Sequence, residues 1–367
     1  MARNGLVLTK LQFLLTLAFR IIPHAAIRIP GAIIRAWLKR LPLGPAIWNA
    51  FSGTVIAETP PDQLQAILPS TFDAYSAWVA ARGTPHTVDV LAADNATRLL
   101  WMGPREASKV LLFFHGGGYV MPLSKGHLEW LAHIRTEATN TGVELSVCIL
   151  EYDLVPTNRY PRQMTQAILA LKHLLSSGYH PSDIIIGGDS AGGHLSLSLM
   201  AHLHHNRPLG SQKDTSLDLG GAVKGCFLVS PLASFDFTAS SYRQWFSADV
   251  LGRKVVDKCG LWLTQDSPWG EDIAAGNAWG MALDVPESWW DGFKAVDNIL
   301  VTGGYEEVFS DHVQQLGAML KRKSNGQVAL HMANEAHDGP LMDFAAGRPP
   351  SKTTGVITEF VIDCLKQ

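Results

Sequence analysis

Short apolar runs alternate along most of this chain with longer stretches in which apolar residues recur at helical spacing. Eight runs have the length and composition of β-strands, and they read HTVDVLA, TRLLWMG, KVLLFFH, ELSVCILEY, DIIIGG, VKGCFLVS, NILVTG and QVALHMA. Helices are predicted between and after them, at 126–139, 163–176, 191–204, 307–321 and 354–366. Strands that alternate with helices predict an α/β fold, with a mostly parallel central sheet covered by helices on both faces.

Two segments do not follow this alternation. Residues 1–85 mix short apolar patches with eight prolines, six of them between Pro23 and Pro61, which predict a cap made of short helices. Residues 231–293 contain no clear strand but carry six tryptophans, at positions 245, 262, 269, 279, 289 and 290. A long insert in a compact domain is usually functional, and we expect one or two of these rings to line a pocket while the others pack onto the sheet. The remaining domain, 86–367, is predicted to be catalytic.

The charge of the N-terminal segment is one-sided. Residues 1–57 carry seven arginines and lysines and no aspartate or glutamate, and the longest uncharged apolar stretch, Leu11–Phe19, is too short to span a bilayer. Two interpretations stay open and are compatible. The segment either packs as cap helices over the active site, or it lies as a basic amphipathic helix on a membrane surface.

Composition limits the partners of the protein. Apolar residues make up 47 % of the chain and charged residues 17 %, which supports a large core, and a net charge of −3 gives no argument for nucleic acid. The four cysteines form no CxxC motif, so we expect neither a zinc site nor a disulfide framework. These features predict an intracellular protein without metal or organic cofactor, with peripheral or endoplasmic reticulum membrane contact as an open alternative.

The strongest chemical motif surrounds Ser190. The sequence Gly188-Asp189-Ser190-Ala191-Gly192 follows a buried strand and precedes a helix-forming run, which is the context of a nucleophile elbow. The turn is so tight that side chains at the two outer glycines would clash. Ser190 is therefore predicted to project from the strand end at a helix N-terminus, where developing negative charge is stabilised.

A glycine run after the third strand supplies the complementary chemistry. In His115-Gly116-Gly117-Gly118-Tyr119 the backbone N–H groups are able to approach a substrate oxygen closely. We predict an oxyanion hole formed by the N–H groups of Gly116, Gly117 and Ala191, with Gly118 as the alternative to one of these glycines.

The general base and its acid are predicted from chain order. His337 follows the last strand, and Glu306, Glu307 and Asp311 follow the strand before it, so the order is serine, acid, histidine. All three carboxylates are available as the acid at this point. An unperturbed histidine predicts activity that rises near pH ~6.5.

The motifs HGGGY and GDSAGG, together with Glu151-Tyr152-Asp153-Leu154-Val155-Pro156, resemble the hormone-sensitive-lipase-like family of α/β-hydrolases. The resemblance covers roughly residues 86–367 and looks most like fungal members, some of which serve secondary-metabolite pathways. It implies the α/β-hydrolase fold with a helical cap. Sliding the family's D-P-L-x-D-E pattern onto this chain places Glu307 at its catalytic acid.

These observations predict a serine esterase that cleaves carboxylic esters of a moderately large apolar substrate through an acyl-enzyme. One alternative keeps the triad but runs acyl transfer, lactonisation or cyclisation on a polyketide-like intermediate. A non-catalytic binding module is disfavoured because Ser190, His337 and a carboxylate are all present.

Overall fold

The computed structural model describes residues 2–205, 216–243 and 247–366, with side chains described from residue 8 onward. All eight predicted strands are present in one sheet. They are β1 (Thr87–Val90), β2 (Arg98–Met102), β3 (Lys109–Phe114), β4 (Leu145–Glu151), β5 (Ile184–Asp189), β6 (Val223–Val229), β7 (Val296–Gly304) and β8 (Gln327–Ala333).

The sheet has the order β1-β2-β4-β3-β5-β6-β7-β8. The β1–β2 and β2–β4 pairs are antiparallel, and every other pair is parallel. The prediction of a mostly parallel sheet is therefore confirmed. Its carboxyl edge places the ends of β5, β7 and β8 close to one another, and this arrangement brings residues distant in sequence into one site.

Helices cover both faces of the sheet, as predicted. They are α6 (Lys125–Asn140), α7 (Arg162–Ser176), α8 (Ser190–His205), α11 (Ser310–Lys323) and α13 (Lys352–Lys366), with the short α12 (Gly339–Ala345) after β8. The central strands are buried on both faces; all six residues of β5, for example, are buried. Such continuous apolar runs are typical of parallel strands covered by helices on each side.

The N-terminal segment forms longer helices than the prolines predicted. The helix α1 (Ala2–Thr16) runs through one π-helical turn (Leu17–Ile21) directly into α2 (Ile22–Lys39). Pro23 lies in the first turn of α2, where its missing N–H costs little, and Pro30 lies in the interior without ending the helix. The expectation of short pieces is wrong here because flanking contacts stabilise the helix against the loss of one hydrogen bond.

Prolines do separate the next helices, which are α3 (Leu43–Glu58), α4 (Pro61–Ile67) and α5 (Thr71–Arg82). The tryptophan-rich insert adds α9 (Arg253–Thr264) and α10 (Trp269–Ala274), and α3 packs against α9. Ion pairs also cross this contact, since Lys254 on α9 lies 2.8 Å from Glu58. The cap over the sheet edge thus combines helices from both irregular segments.

Candidate active site

The turn between β5 and α8 presents Ser190 in a left-handed backbone conformation, with φ of 51°. Side chains at the two outer glycines of the motif would collide with the backbone. A Cβ on Gly188 would come within 2.4 Å of Gly192, and one on Gly192 within 1.9 Å of the Phe114 carbonyl oxygen. The predicted reason for the G-x-S-x-G spacing therefore holds, because only glycine permits this close approach.

Ser190, His337 and Glu307 form a continuous hydrogen-bonded chain. His337 Nε2 lies 2.8 Å from Ser190 Oγ, and His337 Nδ1 lies 2.9 Å from Glu307 Oε2. All three side chains are buried. Phe309 packs edge-on against the imidazole at 5.1 Å between ring centroids, which restricts the ring's rotation. The arrangement satisfies the geometric requirement for a nucleophile, its base and an orienting acid.

The three carboxylates that remained candidates for the acid have separate partners. The other oxygen of Glu307, Oε1, accepts the backbone N–H of Gly304 at 3.2 Å, so both oxygens of this carboxylate are held. Glu306 points away from His337 and pairs with Arg35 on α2 at 2.6 Å. Asp311 accepts from Ser240 Oγ at 2.7 Å and from the Ser241 N–H. Of the three, the structure brings only Glu307 to the imidazole.

Asp338 is a fourth carboxylate at the site and was not among the predicted residues. Its Oδ2 lies 3.1 Å from His337 Nε2, on the same side of the ring as Ser190 Oγ. Burial by itself would lower the pKa of His337, but Asp338 and Glu307, on opposite sides of the ring, raise that pKa well above its usual range. The expectation of an unperturbed histidine is therefore wrong. Burial in turn raises the pKa of Asp338 to about 7.

The glycine loop differs from the sequence expectation at one amide. The N–H of Gly116 donates to Asp189 Oδ1 at 3.0 Å, inside the protein, so it is not directed at a substrate. The same carboxylate contacts His127 Nε2 at 3.2 Å, which ties the loop to α6. Gly116 is thus corrected from a substrate contact to an anchor of the loop, with Asp189 of the serine motif as its partner.

The next two glycines take the position facing the cavity. Gly117 and Gly118 both have positive φ, 107° and 62°, and they line the cavity together with Ser190 and Ala191. The candidate donors to an oxyanion are therefore the N–H groups of Gly117, Gly118 and Ala191. Gly118, which the sequence analysis gave as an alternative, takes the place of Gly116.

Asp249, in the tryptophan-rich insert, connects two segments of the site: the turn after β7, which carries Glu307 (the acid turn), and the loop after β8, which carries His337 (the base loop). It was not predicted from the sequence. Its side chain is fully buried, and its two oxygens accept the N–H groups of Val308 at 2.9 Å and of His337 at 3.2 Å. Burial raises its pKa to about 6, so it is mostly ionised at neutral pH. No local pattern marks this position, because its partners come from two other parts of the chain.

The cavity beside Ser190 has a volume of about 520 Å³ and mainly apolar walls. The cap supplies the walls opposite Ser190, with Trp48, Ser52 and Ile56 from α3 and Cys259, Trp262 and Leu263 from α9. Of the insert's tryptophans that the structure describes, Trp262 is the one that lines this cavity. Trp290 is fully buried, Trp279 and Trp289 pack on each other, and Trp245 lies outside the described residues.

Residues 111–339 match the sequence model of a family described as the alpha/beta hydrolase fold. This match covers more than half of the chain. The chain belongs to the α/β-hydrolase family. The match agrees with the fold that the sequence resemblance implied.

Curated relatives are similar over part of their length. The carboxylesterase/phospholipase LipF of Mycobacterium tuberculosis is 31% identical over 131 residues, which cover 34% of this chain and 33% of that protein. Neutral cholesterol ester hydrolase 1 of Bos taurus is 27% identical over 201 residues, which cover 51% of this chain and 45% of that protein. The chain thus aligns with less than half the length of these relatives.

Solved structures show the same fold over most of this chain. An esterase from the bacterial hormone-sensitive lipase family superposes with a TM-score of 0.61 at 21% identity, covering 88% of this chain and 98% of that one. A fungal esterase from Rhizomucor miehei superposes with a TM-score of 0.60 at 18% identity, covering 84% and 91% of the two chains. At identities this low, the superpositions are evidence for the fold alone.

Proposed function

We propose that this chain is a serine esterase that hydrolyses carboxylic esters of a moderately large apolar substrate. The observation that carries the proposal is the Ser190–His337–Glu307 chain of hydrogen bonds at the wall of an apolar cavity of about 520 Å³. The names of the relatives, which denote carboxylesterase, phospholipase and cholesterol ester hydrolase activities, support the same class of reaction.

Each step follows from an atom at the site. His337 Nε2 removes the proton of Ser190 as Oγ attacks the ester carbonyl carbon, and Glu307 stabilises the imidazolium that forms. The negative oxygen of the tetrahedral intermediate accepts hydrogen bonds from the N–H groups of Gly117, Gly118 and Ala191. Collapse of the intermediate releases the alcohol, which takes the proton from His337. Water, activated by the same imidazole, then releases the acid from Ser190.

The first experiment is mass spectrometry after incubation with a fluorophosphonate, which reacts with activated serines. A single adduct on Ser190 of the wild type, absent from a folded Ser190→Ala variant, is expected. The variant is also expected to lose turnover by about a millionfold, as when a triad acts as one unit. An unmodified Ser190 in folded wild-type protein would refute an activated nucleophile.

The alternative from the sequence, transfer of the acyl group to an alcohol including lactonisation, differs from hydrolysis in the group that accepts the acyl chain. Turnover in ¹⁸O-labelled water separates the two outcomes. Hydrolysis places the label in the released acid, whereas transfer to an alcohol leaves the product unlabelled. The proposal of an esterase predicts labelled acid.

A further inference from the structure

Exposed apolar side chains are concentrated on the N-terminal helices. Among the described residues, fifteen of the nineteen exposed large hydrophobic side chains lie between Leu8 and Phe51. On α2 and the turn before it, Phe19, Ile27 and Trp37 are each 76% exposed. A soluble surface rarely presents a continuous apolar face of this extent unless another apolar phase covers it.

The opposite face of α2 carries the basic residues, and it is turned toward the catalytic domain. Arg28 donates to the Asp249 carbonyl oxygen at 2.7 Å, and Arg35 pairs with Glu306 at 2.6 Å. Arg20 and His24 lie 3.4 and 3.1 Å from Glu58. The helix is therefore inverted relative to an ordinary amphipathic surface helix, with its charges inward and its large apolar residues outward.

The outward face continues into the active-site cavity. Trp48 on α3 is 44% exposed and Leu68, just after α4, is 37% exposed, and both line the cavity. The exposed apolar surface and the apolar cavity wall are therefore parts of one surface. An apolar substrate held in a lipid layer would reach Ser190 along it without crossing water.

We propose that the outward face of α1, α2 and α3 docks on the surface of a lipid bilayer and admits the ester substrate from it. Charge complementarity supports this occupant, because residues 1–57 contain no acidic residue, while the exposed Lys10 and Arg40 suit anionic headgroups. The docking itself stands on this surface, and the route of the substrate rests on the proposed esterase function.

The inward contacts of Arg28 and Arg35 favour lying on the bilayer over crossing it. Among the described residues, Leu8–Lys39 is one helix long and apolar enough to span a membrane by length and composition. A spanning orientation would separate Arg28 and Arg35 from their partners and place both in hydrocarbon, which is costly. Lying in the interface leaves these contacts intact and immerses only the apolar face.

Flotation of the full-length protein with vesicles of phosphatidylcholine and phosphatidylserine tests the docking. The wild type is expected to float, and the double variant I27Q/W37Q to partition about a hundredfold more weakly, given two large side chains withdrawn from lipid. The matched control V90Q/L261Q, which replaces two exposed hydrophobic residues outside this face, is expected to float like the wild type. Equal flotation of I27Q/W37Q and wild type would overturn the proposal.

Two further measurements distinguish docking on the bilayer surface from a spanning helix and from a dimer. Extraction of the bound protein with alkaline carbonate is expected to release it, and resistance would indicate a spanning helix. The oligomeric state without lipid is measured for both proteins. If the wild type is a dimer and I27Q/W37Q is a monomer, this face binds a second copy, and the docking proposal is overturned.

Hydrolysis assays test the route of the substrate separately from the docking. The I27Q/W37Q variant is expected to retain activity on a soluble short-chain ester and to lose it on an ester embedded in vesicles. Equal activity of the variant and the wild type on the embedded ester would overturn the route. Absence of hydrolysis of both esters by the wild type would contradict the esterase function without affecting the flotation result.

Discussion

At the residue scale, the proposed chemistry depends on which carboxylate contacts His337. Glu306, Glu307 and Asp311 lie within six positions of one another, yet Glu307 is the one of the three whose oxygen reaches Nδ1. Consecutive residues in the turn after β7 point in different directions, so Glu306 meets α2 while Glu307 meets the imidazole. A one-residue shift in this turn would exchange their roles.

Replacement of Glu307 by glutamine is expected to lower kcat by about ten-thousandfold, the scale seen when the orienting carboxylate of a serine triad is lost. The amide keeps the shape but does not stabilise the imidazolium. Steady-state kinetics on a soluble ester measures the change. Asp311→Asn is the matched control, because that carboxylate holds Ser240 and Ser241 and not His337. A larger loss in Asp311→Asn than in Glu307→Gln would reverse the assignment.

Asp338 is expected to set the pH dependence. The proposed base must be neutral to accept a proton, so a pKa raised well above the usual range moves the rise of kcat/KM with pH toward alkaline values. Asp338→Asn removes one of the two charges that raise this pKa and is expected to shift the rise downward by about one pH unit.

The measurement is a profile of kcat/KM against pH for the wild type, Asp338→Asn and Asp343→Asn. Asp343 pairs with Arg348 at 2.9 Å, away from the imidazole, so its variant is expected to keep the wild-type profile. An unmoved profile in Asp338→Asn would show that Asp338 does not control the proton affinity of His337.

At the scale of elements, a loop of the insert joins the acid turn to the base loop through Asp249. Asp249 accepts the N–H groups of Val308 and His337. Asp249→Asn keeps an oxygen that accepts one of these N–H groups but presents an NH₂ group, which cannot accept, to the other. The loss of one buried hydrogen bond, about 1–3 kcal/mol, is expected to lower kcat by roughly tenfold to a hundredfold while KM for a short ester changes little. Asp257→Asn on the exposed side of α9 serves as control. Unchanged kcat in Asp249→Asn would mean that the two loops keep their positions without this carboxylate.

The helix α2 is expected to stabilise the acid turn through Arg35. Arg35→Met keeps the length of the stem but leaves the buried Glu306 carboxylate without its closest cation, which is expected to lower the free energy of unfolding by about 2–3 kcal/mol. Urea unfolding measures it. Lys39→Met is the control, because Lys39 is more exposed and its nitrogen lies farther away, at 3.5 Å. Equal effects of the two substitutions would argue against a specific role of Arg35.

At the scale of the whole molecule, the cavity is built from three separate parts of the chain. The sheet edge supplies Ser190 and His337, and the N-terminal helices and the insert supply the apolar walls. Such walls predict a preference for longer acyl chains until the cavity of about 520 Å³ is filled. Each added CH₂ is worth about 0.8 kcal/mol, or roughly fourfold in kcat/KM.

A series of p-nitrophenyl esters of increasing acyl length measures this preference. A rise of kcat/KM followed by a fall is expected, and Trp262→Ala, which enlarges the cavity, is expected to move the maximum to longer chains. A maximum at acetate in the wild type would contradict an apolar substrate of moderate size.

Local sequence determined the strands and marked the proposed nucleophile and general base. Strand length and apolar content are properties of contiguous residues, and the elbow at Ser190 is a steric requirement written in adjacent glycines. The eight strands and the contact of Ser190 with His337 were therefore predictable from the sequence. The glycine run was recognisable for the same reason. The sequence did not show which of its N–H groups face the cavity and which bind inside the protein.

Tertiary structure decided what depends on residues far apart in the chain. The Gly116 N–H donates to Asp189, and Asp249 accepts N–H groups from two loops. The helix α2 directs its arginines inward, where Arg35 pairs with Glu306. In each case the partner is at least fifty positions away in the chain. The prolines of the first segment predicted interruptions that packing against the domain overrides. Hydrogen bonds and ion pairs between distant residues leave no periodicity in the sequence, because their geometry exists only once the sheet edge has assembled.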